Sequence, residues 1–173
     1  YMMKKVLMEE ISLRDILKKT NELLSRELGD DLFSKEKYAT DAAKILAALI
    51  FQEALCEFGQ DLKHEQQLSE SLADIFTHIF TSESVISRAQ QDNSTNISSK
   101  MSSVIAKIDV AESMLDIKTI GTKCLNRIFS GSLSSNLLSA VQNIEDAMNL
   151  NTDIISLKKS LGEYILNKKE YPF

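Results

Sequence analysis

The chain has 173 residues, enough for one domain that buries about 70% of its unfolded surface. With 43% apolar and 26% charged residues and a formal charge of -5, it has an ordinary globular composition, and no basic stripe offers itself to nucleic acid. Its longest apolar run, residues 45–51, falls far short of the roughly 20 residues that span a bilayer.

No stretch alternates with period two for long, so strands are not expected, whereas helical spacing recurs almost everywhere. Residues 4–11 are expected to form a separate short helix or an approach segment. A first helix is expected from Ser12, with Asp15 three residues on as a capping box. It runs through Leu13, Ile16, Leu17, Leu23 and Leu24 to a left-handed stop at Gly29. A second follows Ser34 and ends at Phe58-Gly59. Its middle is apolar on every face, from Ala42 and Ala43 to Ala54 and Leu55, which marks the central post of a helical assembly.

A third helix, from about His64 to Gln91, is one-sided. Leu68, Leu72, Ile75, Phe76, Ile79, Ile86 and Ala89 face inward, opposite Glu65, Ser69, Glu70 and Ser84. After a polar loop at residues 92–96, a fourth helix carries Met101, Val104, Ile105, Ile108, Ala111 and Leu115, then Ile117, Ile120, Cys124, Leu125 and Ile128. The stripe rotates near Leu115 with Gly121 just beyond, so a bend or a break into two helices is expected there. Ser130-Gly131-Ser132 ends it. A fifth helix holds Leu137, Leu138, Val141, Ile144 and Met148. A sixth starts at Thr152-Asp153 and carries Ile154, Leu157, Leu161, Tyr164 and Ile165 before Pro172. The expected fold is all-α: an antiparallel helical bundle of four long helices plus short terminal helices. Residues 1–33 are N-terminal amphipathic or linker helices, and 34–173 form the bundle domain, the two making one compact unit.

Chemistry is sparse. Nucleophilic catalysis needs a Ser or Cys oriented by His and a third group, yet only His64 and His78 exist. His78 has Asp74 one turn before it and Ser82 one turn after, which reads as a surface histidine paired with its own helix's carboxylate. Asp61-x-x-His64 stands alone, and no Glu-x-x-His occurs, so a di-iron carboxylate centre is not built. There is neither a Walker A loop nor a Gly-x-Gly-x-x-Gly. The cations are mostly lysine, with Arg14, Arg26, Arg88 and Arg127 the exceptions, which thins out bidentate phosphate grips. Cys56 and Cys124 lack CxxC spacing and read as reduced, buried thiols. The sequons at Asn93 and Asn96 read as loop and cap residues. No catalytic, cofactor-binding or metal-binding residue is assigned.

Glu65-Gln66-x-Leu68, Leu72-Ala73-Asp74 and Ser87-Arg88-Ala89 lie on one helix. In this arrangement the chain resembles the C-terminal extension of the very-long-chain type of acyl-CoA dehydrogenases. The resemblance spans the sequence from about Ser34 onward and includes the aromatic-proline ending Tyr171-Pro172-Phe173. It implies a part of a flavin enzyme of fatty acid β-oxidation that does no chemistry itself. Such an extension packs on a catalytic core that holds FAD, and it shapes a homodimer by lying where another subunit pair sits in tetrameric relatives. The start at Tyr1 fits a segment of something longer. Cores of that family hold the flavin's phosphates with an arginine before a Phe-Gly; here Cys56 and Glu57 precede Phe58-Gly59, so no flavin residue carries over and the pair reads as a helix cap.

The family's membrane-associated junction region suggests a weak membrane contact for the basic, amphipathic opening with Lys4, Lys5, Arg14, Lys18, Lys19 and Arg26. Glu9, Glu10, Asp15, Glu22, Glu27, Asp30 and Asp31 cancel that charge, and packing onto the bundle or core is favoured. The opening lacks a signal peptide's apolar core, and lysine-rich usage points to a bacterial cytoplasm, with the mitochondrial matrix the alternative. A stand-alone all-α interaction or adaptor module is the competing reading, since bundles host unrelated functions. An exposed apolar face, on the second or fourth helix, is expected if the chain packs on a core.

Overall fold

The computed structural model describes residues 13–91, 97–130 and 134–168. Six α-helices follow in order: α1 (Leu13–Leu24), α2 (Ser34–Phe58), α3 (Gln66–Gln91), α4 (Ile97–Phe129), α5 (Ser135–Ala147) and α6 (Ile154–Lys168). A 3-10 segment, Gly59–His64, joins α2 to α3. No strand occurs among the described residues. The expected helix or approach at residues 4–11, the Ser12 cap, the loop at 92–96 with both sequons, Gly131-Ser132 and the Tyr171-Pro172-Phe173 ending lie outside them.

The all-α bundle is what forms. Its post is α2, which packs against α1, α3, α4 and α5. Every apolar residue from Ala39 to Ala54 is buried, as a helix apolar all round requires. Helix direction follows from side-chain pairs: Glu65 meets Arg127 while His78 meets Ser113, so α3 and α4 run antiparallel. Phe58 lies under Arg127 while Leu46 and Ile50 lie at Gly121, so α2 and α4 run parallel. The three longest helices therefore run up, down and up, and α1 and α5 together cover the remaining side of α2.

The expected boundaries need three corrections. First, α1 stops at Leu24, not Gly29. The Ser25 and Arg26 N–H groups donate to the Asn21 and Leu23 carbonyls and close the last turn, and the Ser25 hydroxyl donates to Glu22. Beyond Leu23 no apolar side chain is buried until Phe33, so nothing rewards further helix. Among the described glycines only Gly59 has positive φ, at 51°. It ends α2 with its N–H on the Leu55 carbonyl, as Phe58-Gly59 predicts.

Second, α4 is one unbroken helix of 33 residues. The inward stripe passes through Ala106, Val110, Met114, Ile117, Cys124 and Ile128, and it does not rotate. Met114 is 2% exposed whereas Leu115 is 55% exposed; taking Leu115 as the inward residue created the apparent twist. Gly121 is a close-packing position. A Cβ there would lie 3.2 Å from Leu46 Cδ2 and 3.4 Å from Ile50 Cδ1. Third, Leu138 points outward, because α5 meets α1 and α2 through Leu137, Ala140, Val141 and Ile144.

Thr152-Asp153 does start α6. Asn151 reverses the chain at φ 47°, and Asp153 Oδ1 accepts the Ser156 N–H. Hydrogen bonds from Ser156, side chain and backbone alike, hold the Asp153 carboxyl below its ordinary pKa. This last helix leans chiefly on α4, and its apolar residues are half-buried at best, with Ile155 and Leu166 exposed.

Candidate functional site

Among the described residues, four places hold polar side chains that could carry chemistry. The first is the α3–α4 seam. His78 does not sit in a row along its own helix: Asp74 is exposed and Ser82 is fully buried. Its partners come from α4, with Nδ1 3.4 Å from Ser113 Oγ and Nε2 3.9 Å from Asp116 Oδ2. The expected pairing with the helix's own carboxylate is thus replaced, because the ring leans across the seam. Asp109, one turn before Ser113, has its pKa raised by burial, an effect that the nearby His78 partly offsets.

Ser113, His78 and Asp116 are the residue types of a hydrolytic triad. Their placement does not serve one. Ser113 is 4% exposed in mid-helix, so no substrate reaches its oxygen, and the neighbouring backbone N–H groups are consumed by the helix instead of forming an oxyanion hole.

The second place is the Phe58-Gly59 corner. Arg127 stacks 5.0 Å from the Phe58 ring centroid and grips Glu65 through Nη2 (2.6 Å) and Nε (3.1 Å). Space therefore supplies the arginine beside Phe-Gly that sequence lacks. The residues nonetheless do not fit a flavin. The guanidinium fork is occupied by Glu65, the Gly59 N–H by Leu55, and Glu57 is an exposed anion beside them. The third place, Asp61 and His64, lies on the exposed 3-10 segment.

The fourth is a cleft of about 290 Å³ among Arg26, Lys37, Thr40, Asp41, Lys44 and Glu83. Asp41 accepts from Arg26 (3.2 Å) and Lys44 (3.0 Å), and Lys44 also meets Glu83 at 2.6 Å. Burial alone would lower the Lys44 pKa, but hydrogen bonds to Glu83 and Asp41 outweigh it and raise the value. Beside the cleft, Lys37 and Gln90 donate to Asp31. The Lys37 contact, opposed by slight desolvation, lowers the Asp31 carboxyl. Each cation here is matched by a carboxylate, so the cleft fastens the α1–α2 connection, α2 and α3 together and gives an anion no uncompensated charge. Asp41 and Lys44 are an i,i+3 pair, but the Arg26–Asp41, Lys44–Glu83 and Gln90–Asp31 pairs are not visible in sequence spacing.

The triplets singled out in the sequence are mostly structural. Leu72 and Ala89 are buried, Glu65 clamps α4, and Ala73, Asp74, Ser87 and Arg88 lie on the outer side of α3. Both cysteines are free; Cys124 is buried as expected, but Cys56 is exposed, because the last turn of α2 emerges from the bundle. The apolar face expected on α2 or α4 is absent among the described residues. Four helices cover α2, and α4 shows only Leu115 among its large exposed apolar side chains. Such residues lie instead at Leu24, Leu28, Leu32, Phe80, Leu138, Ile155 and Leu166.

A family model described as "Acyl-CoA dehydrogenase, C-terminal domain" matches residues 42–143, from α2 into α5. The chain belongs to that family. A solved acyl-CoA dehydrogenase complexed with FAD, from Bacillus anthracis, shares the fold of this C-terminal domain with a TM-score of 0.78 at 19% identity. The likeness covers 98% of this chain and 30% of that one, so this C-terminal domain spans under a third of the solved enzyme's length. No curated protein matches it. No helix among the described residues is long and apolar enough to cross a membrane.

Proposed function

We propose that this chain is the catalytically silent C-terminal helical domain of an FAD-dependent acyl-CoA dehydrogenase of the very-long-chain type. The observation that carries the reading is the family match over residues 42–143. The Glu65-Gln66, Leu72-Ala73-Asp74 and Ser87-Arg88-Ala89 helix supports the subtype. The poor fit of the Phe58-Gly59 corner to a flavin supports a division of labour, in which FAD belongs to a catalytic core of the same polypeptide. On this reading the domain covers apolar surface of that core and shapes a homodimer in a bacterial cytoplasm, with at most weak membrane contact. Residues 34–173 supply the bundle. Ile16 and Leu23 of the preceding segment join the same hydrophobic cluster, which supports one compact unit.

Two measurements test it. The purified chain, given long-chain acyl-CoA and an artificial electron acceptor, turns over nothing; measurable turnover overturns the silent role. Removing residues 34–173 from the intact polypeptide lowers the melting temperature of the flavin core and shifts its mass from dimer to monomer. An unchanged core refutes the packing role.

A further inference from the structure

The inward stripe of α3 runs Leu68, Leu72, Ile75, Ile79, Ser82, Ile86 and Ala89, with steps of four and three residues in alternation. That is a heptad seam. Ser82 is its one polar member, and it has no exposed surface at all. Thr77, Thr81 and Ser84 on the same helix donate their hydroxyls to carbonyls one turn back. Ser82 does not, and its Oγ has no partner. Among the described residues, Asp109 Oδ2 is the other buried side-chain oxygen without a hydrogen bond. The register of the seam puts the two opposite each other. His78 meets Ser113 and the helices run antiparallel, so one turn onward on α3 and one turn back on α4 lead to Ser82 and Asp109. Asp109 is also close enough to His78 for their charges to interact.

A buried oxygen with nothing to bond is costly, and no direct bond joins this pair. Whatever lies between two packed helices here must be small, accept the Ser82 proton and donate to the ionised Asp109 carboxylate, which only accepts. Water does both. A cation offers the Ser82 hydrogen no acceptor, and among the described residues no three His, Cys, Asp or Glu side chains gather to hold a metal. We propose that Ser82 Oγ and Asp109 Oδ2 bind one internal water molecule between α3 and α4. Internal waters occupy such sites, where buried polar groups with no other partner converge. A single polar layer in an apolar seam also sets its register. Sliding α3 by one heptad would put Ile75 or Ala89 against Asp109 and leave the carboxylate stranded. The site stands apart from the dehydrogenase reading above and does not depend on it.

A crystal structure of the chain, grown in rubidium chloride and sharp enough to show ordered waters, tests the site. The expected result is one density peak within about 2.6–3.2 Å of both oxygens and without rubidium's anomalous signal. An anomalous peak there makes the ligand a cation and overturns the proposal. So does the lack of any peak, whether the two oxygens touch directly or Ser82 turns back onto the His78 carbonyl. Stability in solution gives a second reading. Ser82→Ala lowers the folding equilibrium constant at least about fivefold in the unaltered chain, but less than about twofold beside Asp109→Ala, where the shared water has already lost an anchor. Equal effects in the two backgrounds overturn the proposal as well.

Discussion

Arg127 on the last turn of α4 holds Glu65, just before α3, through two nitrogens, although 62 positions separate them in sequence. The same guanidinium lies over Phe58 at the end of α2, so one side chain ties three helix ends together. Arg127→Lys keeps the charge but loses both the fork and the stacking plane. Arg127 is half exposed, so the expected cost is about 1 kcal/mol, and Arg127→Ala costs somewhat more through lost packing on Phe58. A double-mutant cycle with Glu65→Gln, read by urea unfolding, should give a coupling of about 0.5–1 kcal/mol. Zero coupling would mean that the pair is ornamental.

Two helical glycines predict opposite outcomes. Gly121 faces Leu46 and Ile50 at contact distance, so Gly121→Val overpacks the α2–α4 seam by about 2 kcal/mol. Gly162 on α6 has nothing within 4 Å of an added Cβ and lacks positive φ. Gly162→Ala therefore stabilises by up to about 1 kcal/mol through helix propensity. Thermal melts of both variants check the contrast.

Those glycines also show how much the sequence made legible. The burial of α2 on all sides, the Gly59 stop and the Asp153 start were readable, because each depends on residues within a turn of one another. The stripe of α4 is ambiguous in sequence because Met114 and Leu115 are adjacent and both apolar, and only the packing of the bundle decides that Met114 turns inward and Leu115 outward. Proximity along the chain pairs His78 with Asp74, whereas the α3–α4 register delivers Ser113 and Asp116. The charged cleft at Lys44 draws on α2, α3 and the connection between α1 and α2, which no local spacing brings together.

Lys44 predicts a loss of stability at high pH. Its folded-state pKa lies above the ordinary 10.5, so its contribution is complete below that value and disappears as pH rises through the folded one. Unfolding free energy should decline above about pH 10.5, and the Lys44→Met variant should show a smaller decline. Equal slopes in the two proteins would remove Lys44 from the account.

Asp109 predicts a slope of the same sign in the acid range. Burial raises its carboxyl above the ordinary 3.8, so folding favours the protonated form, and that advantage fades as pH climbs through the raised value. At neutral pH the ionised group is a liability. Asp109→Asn should raise the melting temperature at pH 7 by about 1–3 °C and flatten its dependence on acidity. A lower melting temperature at pH 7 would show that the attraction to His78 outweighs burial.

The free thiols separate kinetically. Cys56 is exposed, whereas Cys124 is buried and burial pushes its thiol pKa up. A thiol reagent should titrate one equivalent quickly in the native protein and the second only as the protein opens. Two equally fast equivalents would contradict the packing around Cys124.

The last helix has a consequence for how the molecule comes apart. With α4 as its main neighbour, no fully covered side chain and a Lys158–Glu112 ion pair as tether, α6 holds little energy in common with the other five. Its amides should exchange with deuterium earlier than those of α2, and a protease should trim it while the remainder stays folded. The carboxyl-terminal segment is thus an outrigger: it can fray, shift or be lost without capsizing the hull.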